Sequence, residues 1–113
     1  MRTINLNSET WESVENSKLP VAVDFWAPWS SYCKELAPLF EELAKEYEGK
    51  ALFAKLNIYE SPDIADKYGI KQIPVIKIFC DGKEISEFVG FAPKELLKEF
   101  IDRAIVAELT CLR

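Results

Sequence analysis

Residues 20–27, with the sequence PVAVDFWA, constrain the fold more than any other stretch of the chain. Apolar side chains occupy both faces of this run, and β-branched and aromatic residues dominate it. Such a run is typical of a strand that is covered on both sides in the middle of a sheet. The sequence therefore predicts an α/β fold in which helices cover both faces of a central sheet.

A helix and a second strand follow this run. Apolar residues recur at helical spacing over residues 31–48, and the pattern ends at Gly49. Pro38 lies inside this helix and predicts a kink. Residues 51–58, ALFAKLNI, have the composition of a strand. The order strand, helix, strand predicts two parallel strands joined by a right-handed crossover.

One short helix is predicted before this strand–helix–strand unit, and another is predicted after it. Residues 8–16 open with Ser8, a residue suited to capping a helix N-terminus. The other helix, of about two turns, has Ser61 as its N-cap and Pro62 at its first position, and it ends at Gly69.

The remaining segments predict a hairpin, a last helix and an edge strand. Asp81-Gly82 joins two strand patterns and is a strong hairpin signal. Pro93 begins a helix with an apolar stripe, and residues 3–6 predict a short edge strand. We expect a mixed sheet of four to five strands with helices on both faces, in a single domain over residues 1–113.

The charge of the chain and its N-terminal sequence narrow the classes of partner. The net charge is −5 at pH 7, and no cluster of Lys and Arg exists that could displace counterions from nucleic acid. The N-terminus has no apolar signal segment, and no window approaches the roughly 18 apolar residues of a membrane span. We therefore expect a soluble, cytoplasmic monomer that binds neither nucleic acid nor membranes.

Three cysteines, Cys33, Cys80 and Cys111, limit the redox and metal chemistry. Their odd number leaves at least one thiol free, and no secretory signal accompanies them, so we expect no structural disulfide framework. We expect Cys80 to be a structural thiol at a strand end, and Cys111 to be accessible enough for an adventitious intermolecular disulfide. The chain has no histidine, and we expect neither a metal site nor a cofactor.

Four segments resemble the thioredoxin family in their order and spacing. VDFWAPWSSYCK resembles the family motif VDFWAPWCGPCK, QIPV its TxPT-type loop, KLNI its KLNxD segment and DGKEISEFVG its closing hairpin. The resemblance covers about residues 21–101. It implies the thioredoxin fold, thiol–disulfide exchange with disulfide-containing protein substrates, and a thioredoxin reductase that regenerates the dithiol.

The chain departs from the family at the motif that carries the chemistry. Thiol–disulfide exchange needs an attacking thiolate at a helix N-terminus and a second thiol one turn along. Ser30 stands at the position of the attacking cysteine, and Cys33 at that of the resolving cysteine. Ser30 is suited to N-capping, but no strong base is expected nearby to activate its hydroxyl. We therefore expect exchange activity to be lost or greatly reduced.

Asp24 and Lys55 complete the catalytic residues that the resemblance implies. Asp24 lies in the middle of an apolar strand, where burial of its carboxyl group would raise its pKa. The resemblance assigns Asp24 to accept the proton of Cys33, and Lys55 on the neighbouring strand to tune the charge of Asp24. A solvated aspartate at a strand bend and an ordinary surface lysine are the alternatives.

The resemblance also implies a surface that binds substrate. It places a cis peptide bond before Pro74 and leaves the backbone of Ile73 free to pair with an extended substrate segment. Trp29 would be a surface contact over the active-site turn, whereas Trp26 would mainly contribute to packing. Gly90 would allow the backbone of a partner to approach near Pro74, although an ordinary turn glycine explains Gly90 equally well.

Two interpretations of Ser30 follow. In the first, Ser30 is a substitution in a dithiol protein with a C-S-Y-C site, and we favour it because Asp24, Lys55, Pro74 and Trp29 are all present. In the second, Ser30 is natural, and the domain is a monothiol or redox-inactive module that binds extended segments. An ordinary pKa of about 4 for Asp24 would favour the second interpretation.

Overall fold

The polypeptide alternates between strands and helices over residues 3–107, the part that the structure, a computed structural model, describes. The elements in chain order are β1 (Thr3–Leu6), α1 (Glu12–Glu15), β2 (Val21–Trp26), α2 (Ser31–Glu46), β3 (Leu52–Asn57), α3 (Pro62–Lys67), β4 (Val75–Cys80), β5 (Lys83–Val89) and α4 (Lys94–Ala107). Within these described residues, no helix is both long enough and apolar enough to span a membrane.

The five strands form one mixed sheet in the order β1-β3-β2-β4-β5. Strands β1 and β2 both run parallel to β3, whereas β4 is antiparallel to β2 and to β5. The predicted parallel pair, the edge strand β1 and the central position of β2 are all confirmed. Because β2 has a neighbouring strand on each side and helices above and below, its residues from Val21 to Phe25 are buried.

Two apolar cores lie on opposite faces of the sheet. On one face, Ala22 of β2 belongs to the core that α2 and α4 cover. On the other face, Val23 and Phe25 belong to the core that α1 and α3 cover. Successive residues of β2 thus alternate between the two cores, as the geometry of a strand requires.

The first helix is much shorter than the sequence predicts. It spans Glu12–Glu15, and the predicted cap at Ser8 is wrong because Trp11 occupies the N-cap position with no side-chain cap. The Asn7 side chain instead accepts hydrogen bonds from the backbone N–H groups of Glu9 and Thr10. This Asx-type turn holds the preceding residues out of the helix.

The helix α3 begins with Pro62 as predicted, but Ser61 does not cap it through its side chain. The Ser61 hydroxyl accepts a hydrogen bond from the backbone N–H of Ser8 at 3.1 Å. The side chain that the sequence assigns to a local cap therefore joins the segment after β1 to the segment before α3.

The hairpin between β4 and β5 is confirmed. Asp81 has φ of 54° and Gly82 has φ of 80°, the pair of left-handed conformations that a two-residue type I′ turn requires. Cys80 precedes this turn and pairs with Lys83.

The expectation that Cys80 is a structural thiol is wrong. Cys80 is buried and disulfide-bonded, whereas Cys33 is a free thiol. The sequence spacing that suggested separate thiols does not report which side chains the fold brings together. Cys111 lies outside the described residues.

Candidate active site

The residues that the sequence singles out converge at one edge of the sheet. The loop between β2 and α2 leaves the carboxyl end of β2 and leads through Ser30 into the first turn of α2. Strand β4 is antiparallel to β2 and pairs Val75 with Phe25, so Pro74 lies at the same edge. The topology thus brings Ser30, Cys33 and Pro74 to one end of the molecule.

Ser30 caps α2. Its backbone is extended, with φ of −88° and ψ of 121°, and its Oγ accepts a hydrogen bond from the backbone N–H of Cys33 at 3.3 Å. This bond satisfies one of the N–H groups that the first turn of a helix leaves without a partner. The predicted N-cap role is confirmed, and it explains why the helix begins at Ser31.

Cys33 lies in the first turn of α2 and is 3% exposed. Its thiol is free. A disulfide in solution can reach such a sulfur only when the turn around it opens, or when a neighbouring residue has already bound the substrate. The arrangement suits a thiol that acts second in a reaction, not one that makes the first attack.

Asp24 is fully buried, at 0% exposure, in the centre of β2. Neither of its carboxylate oxygens has a hydrogen-bond partner among the described residues. Burial raises the pKa of Asp24 from 3.8 to about 7, and the nearby charge of Lys55 opposes that rise. The predicted increase in pKa is confirmed, and the alternative of a solvated aspartate is wrong.

Asp24 lies on the face of the sheet that α2 covers. Its neighbours Val23 and Phe25 both face the opposite core, so strand alternation directs the Asp24 side chain toward the helix that carries Cys33. An unpaired carboxyl group at this depth is costly to the fold unless it takes up a proton.

Lys55 lies beside Asp24 in the sheet. The two residues are aligned in the parallel register of β2 and β3, and Lys55 is partly buried. The Lys55 ammonium group lies 5.1 Å from the centre of the Trp26 ring, a cation–π contact. Lys55 is therefore a partly buried lysine that contacts the half-buried Trp26 ring and lies beside Asp24 in the sheet.

The loop before β4 exposes an unpaired stretch of backbone. The Ile73–Pro74 peptide bond is cis, as predicted. Within the described part of the chain, neither the N–H nor the C=O of Ile73 has a hydrogen-bond partner. The Gly90 N–H donates to the Pro74 carbonyl at 2.7 Å, and its φ of 95° favours glycine. Gly90 thus fixes the loop, and a Cβ there would meet no atom within 4 Å.

Three exposed aromatic side chains lie near the start of α2, and the sequence predicts a surface role for only one of them, Trp29. Trp29 is 63% exposed and Tyr59 is 72% exposed, and Tyr32 is exposed as well. Trp29 and Tyr59 contact each other. The proximity of Tyr59 to Trp29 could have been predicted, because residues that follow the carboxyl ends of neighbouring parallel strands lie side by side. The prediction that Trp29 forms a surface contact is supported by its exposure.

Comparison with known proteins gives consistent matches. The family model described as Thioredoxin matches residues 2–103. A "Thioredoxin M-type, chloroplastic" of Pisum sativum is 46% identical over 101 residues, which are 88% of this chain and 59% of the pea protein. The "Thioredoxin" of a Synechocystis species is 44% identical over 92 residues, 81% of this chain and 86% of that protein.

A third relative, the "Thioredoxin" of Chlorobaculum thiosulfatiphilum, is 47% identical over 90 residues, 80% of this chain and 83% of that protein. The chain spans 53% to 59% of the length of the first three chloroplast relatives. It spans most of the two bacterial relatives described above.

Proposed function

The chain belongs to the thioredoxin family, and from this premise we propose that it has the site of a protein-disulfide reductase in which Ser30 replaces the attacking cysteine. Cys33 is the resolving thiol, and Asp24 is the group that accepts its proton. With Ser30 in place the chain does not complete thiol–disulfide exchange, because a serine hydroxyl forms no disulfide.

The observation that carries this proposal is the buried, unpaired carboxyl group of Asp24. A module that only bound peptides would gain nothing from an ionisable group with no hydrogen-bond partner in its core. A resolving thiol does need such a group, because the thiol must lose its proton before it attacks. The burial of Asp24 on the α2 side of the sheet therefore supports redox chemistry as the purpose of the site.

The proposed reaction requires a cysteine at position 30. Its thiolate attacks a substrate disulfide, forms a mixed disulfide and releases one substrate thiolate, which takes up a proton. Cys33 then gives its proton to Asp24 and attacks the mixed disulfide, which releases the second substrate sulfur as a thiolate, and this thiolate takes up the proton that Asp24 holds. The site is left as a disulfide between residues 30 and 33. A thioredoxin reductase supplies two electrons and two protons to restore the dithiol.

In this proposal, the residues that contact the substrate are Trp29, Ile73, Pro74 and Gly90. The unpaired backbone groups of Ile73 support pairing with an extended substrate segment, as in strand addition. The exposed Trp29 supplies apolar contact area next to residue 30. The role of Lys55 is to moderate the pKa of Asp24 through its charge.

We also propose that the protein acts as a single-domain monomer in the cytoplasm. The chloroplast location belongs to the plant relatives by their names. Thioredoxins of bacterial species match over more of their length and carry no such location in their names.

The test is Ser30→Cys. We expect this variant to catalyse the reduction of insulin by dithiothreitol at least tenfold faster than the unsubstituted chain, measured as the turbidity of the released insulin B chain. Ser30→Ala and the double variant S30C/C33S are the matched controls, and neither should reach the rate of Ser30→Cys. A Ser30→Cys variant that folds but gives no gain over Ser30→Ala would overturn the proposal.

A second candidate function is a binding module for extended segments. The unpaired backbone of Ile73 and the exposed aromatic side chains near Ser30 favour it, because neither feature depends on a thiol. An NMR titration of the Asp24 carboxyl carbon separates the two functions. A pKa of about 7 supports the reductase site, and an ordinary pKa with retained peptide binding supports the module.

A further inference from the structure

A surface groove lies beside the Ile73–Pro74 loop. Its volume is about 310 Å³, and residues of this loop and of β5 line it. Its floor is apolar: Val75 is buried, and Val89, its partner in the register of β4 and β5, is 47% exposed. Gln72 and Val75, the residues on either side of Ile73 and Pro74, both line the groove. The groove therefore continues the surface that binds substrate in the proposed function.

The unpaired backbone at Ile73 extends along this groove. Among the residues that the structure describes, the backbone N–H and C=O groups of Lys71 and Gln72 have no hydrogen-bond partner, like those of Ile73. The side chains of Lys71 and Gln72 are exposed. A run of three residues with free donors and acceptors can pair with an extended segment at more than one position. A substrate segment that pairs with Ile73 therefore also passes Lys71.

Lys71 carries an unpaired positive charge at the groove. Within residues 3–107, its ammonium group takes part in no ion pair or hydrogen bond. Glu87, the other charged residue that lines the groove, accepts a hydrogen bond from the Lys77 ammonium group at 2.9 Å. The same ammonium group donates to Glu84 at 2.7 Å. The groove thus presents a free cation on its loop side and a carboxylate that is already bound on its β5 side.

We propose that this groove selects extended substrate segments with an acidic residue two positions from the target cysteine, and that Lys71 recognises this residue. The inference rests on the proposed function and names its class of substrate. When the target cysteine lies opposite Ile73, paired segments keep equal spacing, so the substrate residue opposite Lys71 is two positions away. It precedes the cysteine in a parallel pairing and follows it in an antiparallel one.

The net charge of the chain makes this preference a specific one. The chain carries a charge of −5 at pH 7, which opposes the approach of acidic segments in general. A preference for an acidic segment therefore requires a local contact, and Lys71 is the lysine that lines the groove.

Peptide binding to the unsubstituted chain tests the inference without redox chemistry. The probes are capped seven-residue peptides with a central serine in place of the target cysteine, and with Asp, Asn or Lys two positions before and two positions after it. In amide NMR titrations, we expect the signals of Lys71, Gln72 and Ile73 to shift. The Asp peptide should bind about threefold more tightly than the Asn peptide, and the Lys peptide about threefold more weakly.

Two results of these titrations would overturn the inference. One is equal affinity for the Asp and Asn peptides. The other is the absence of any shift in the amides of residues 71–73 at millimolar peptide, because the proposed segment must pass along this backbone.

Lysine variants show whether the preference comes from Lys71. Lys71→Met keeps the apolar stem, so it should bind the Asn peptide normally and lose the preference for the Asp peptide. Lys71→Glu should reverse the preference in favour of the Lys peptide. Lys83→Met, the matched control, removes an exposed lysine at the opposite end of β5 and should leave the preference unchanged. A preference that survives in Lys71→Met would contradict the role of Lys71.

The failure of this inference can be told apart from the failure of the proposed function. If Ser30→Cys reduces insulin but the peptides bind with equal affinity, the reductase site stands and acid recognition by Lys71 is wrong. If the preference depends on Lys71 but Ser30→Cys is inactive, acid recognition stands and the reductase site is wrong. If both stand, disulfide peptides flanked by Asp should show a KM about threefold lower than those flanked by Asn, with the same kcat.

Discussion

The rings of Trp29 and Tyr59 pack edge to face, with ring centroids 5.3 Å apart and ring planes at 90°. The two residues lie in the loops that follow the parallel strands β2 and β3, next to the start of α2. Both rings remain largely exposed. They form an aromatic surface beside residue 30 that is held in one orientation by the contact between its two members.

This aromatic pair should contribute to substrate binding. In the Ser30→Cys background, Tyr59→Ala should raise KM for insulin about fivefold with little change in kcat, because it removes exposed aromatic contact area that should contribute about 1 kcal/mol to substrate binding. Tyr59→Phe keeps the ring and should keep the KM. Leu96→Ala removes an exposed apolar side chain from α4 and serves as the control. An unchanged KM in Tyr59→Ala would contradict the prediction.

The burial of Asp24 should make stability depend on pH. Its pKa is about 7 in the folded chain and 3.8 as the ordinary value, so between these two values the folded state binds more protons than the unfolded state. The free energy of unfolding therefore falls as pH rises from about 4 to about 8. Relative to Asp24→Asn, the loss should be on the order of 4 kcal/mol, measured by urea unfolding at each pH.

Asp63→Asn is the matched control for this pH dependence. The hydrogen bond from Ser8 lowers the pKa of Asp63, which lies on the surface. Its contribution has the opposite sign: it is present at neutral pH and is lost as pH falls through the lowered pKa. An Asp24→Asn variant whose stability follows the same pH profile as the unsubstituted chain would show that Asp24 has no raised pKa.

The burial of Cys33 should protect it from alkylation. Iodoacetamide should modify Cys33 in the native chain at least about 100-fold more slowly than in guanidinium, because the thiol is exposed only when the helix start opens. The readout is the mass of the tryptic peptide spanning residues 19–34. In Ser30→Cys the same peptide should gain one alkyl group rapidly and the second slowly. Rapid alkylation of Cys33 in the native chain would contradict its placement.

Lys77 is the buried cation of a three-residue ion cluster. Its ammonium group donates to Glu84 at 2.7 Å and to Glu87 at 2.9 Å. Burial by itself lowers the pKa of Lys77, but the hydrogen bonds to the two carboxylates outweigh it and raise the pKa overall. The cluster joins β4 to the edge strand β5.

Two substitutions at Lys77 should separate the contribution of its apolar stem to stability from the contribution of its charge. Lys77→Met keeps the apolar stem and should change the free energy of unfolding by less than about 1 kcal/mol, whereas Lys77→Ala should cost about 2 kcal/mol. Urea unfolding at pH 7 measures both. Lys67→Met removes a surface ion pair with Glu15 and should have almost no effect. If Lys77→Met and Lys77→Ala lower the free energy of unfolding equally, the charge of Lys77, and not its apolar stem, provides the stability.

Local chemistry made most of the fold predictable. The two-sided apolar run of β2 and the Asp81-Gly82 turn each have one good structural solution, and both were predicted. The first helix was predicted, but its start was not, because the capping signal at Ser8 competed with an Asx turn at Asn7 that the sequence does not rank. Ser61 was predicted to cap α3 locally, but its hydroxyl accepts a hydrogen bond from the backbone N–H of Ser8, which is 53 residues away in the sequence.

The candidate site was predictable where a residue conflicts with its own surroundings. Asp24 is a carboxylate in an apolar strand, and that conflict alone predicted a raised pKa. A tyrosine in a loop gives no such local signal, and the role of Tyr59 depends on its contact with Trp29 in three dimensions. The disulfide at Cys80 was missed for the same reason, since the separation of cysteines along a chain does not give their separation in space.

The hydrogen bond from the Cys33 N–H to the Ser30 hydroxyl has a consequence for any version of this protein. Oxygen is a good acceptor for that N–H and sulfur is a weak one, so serine should stabilise the helix start by up to about 1 kcal/mol more than cysteine. Redox turnover requires the sulfur. Thermodynamic stability and catalytic turnover therefore make opposite demands on a single atom at position 30.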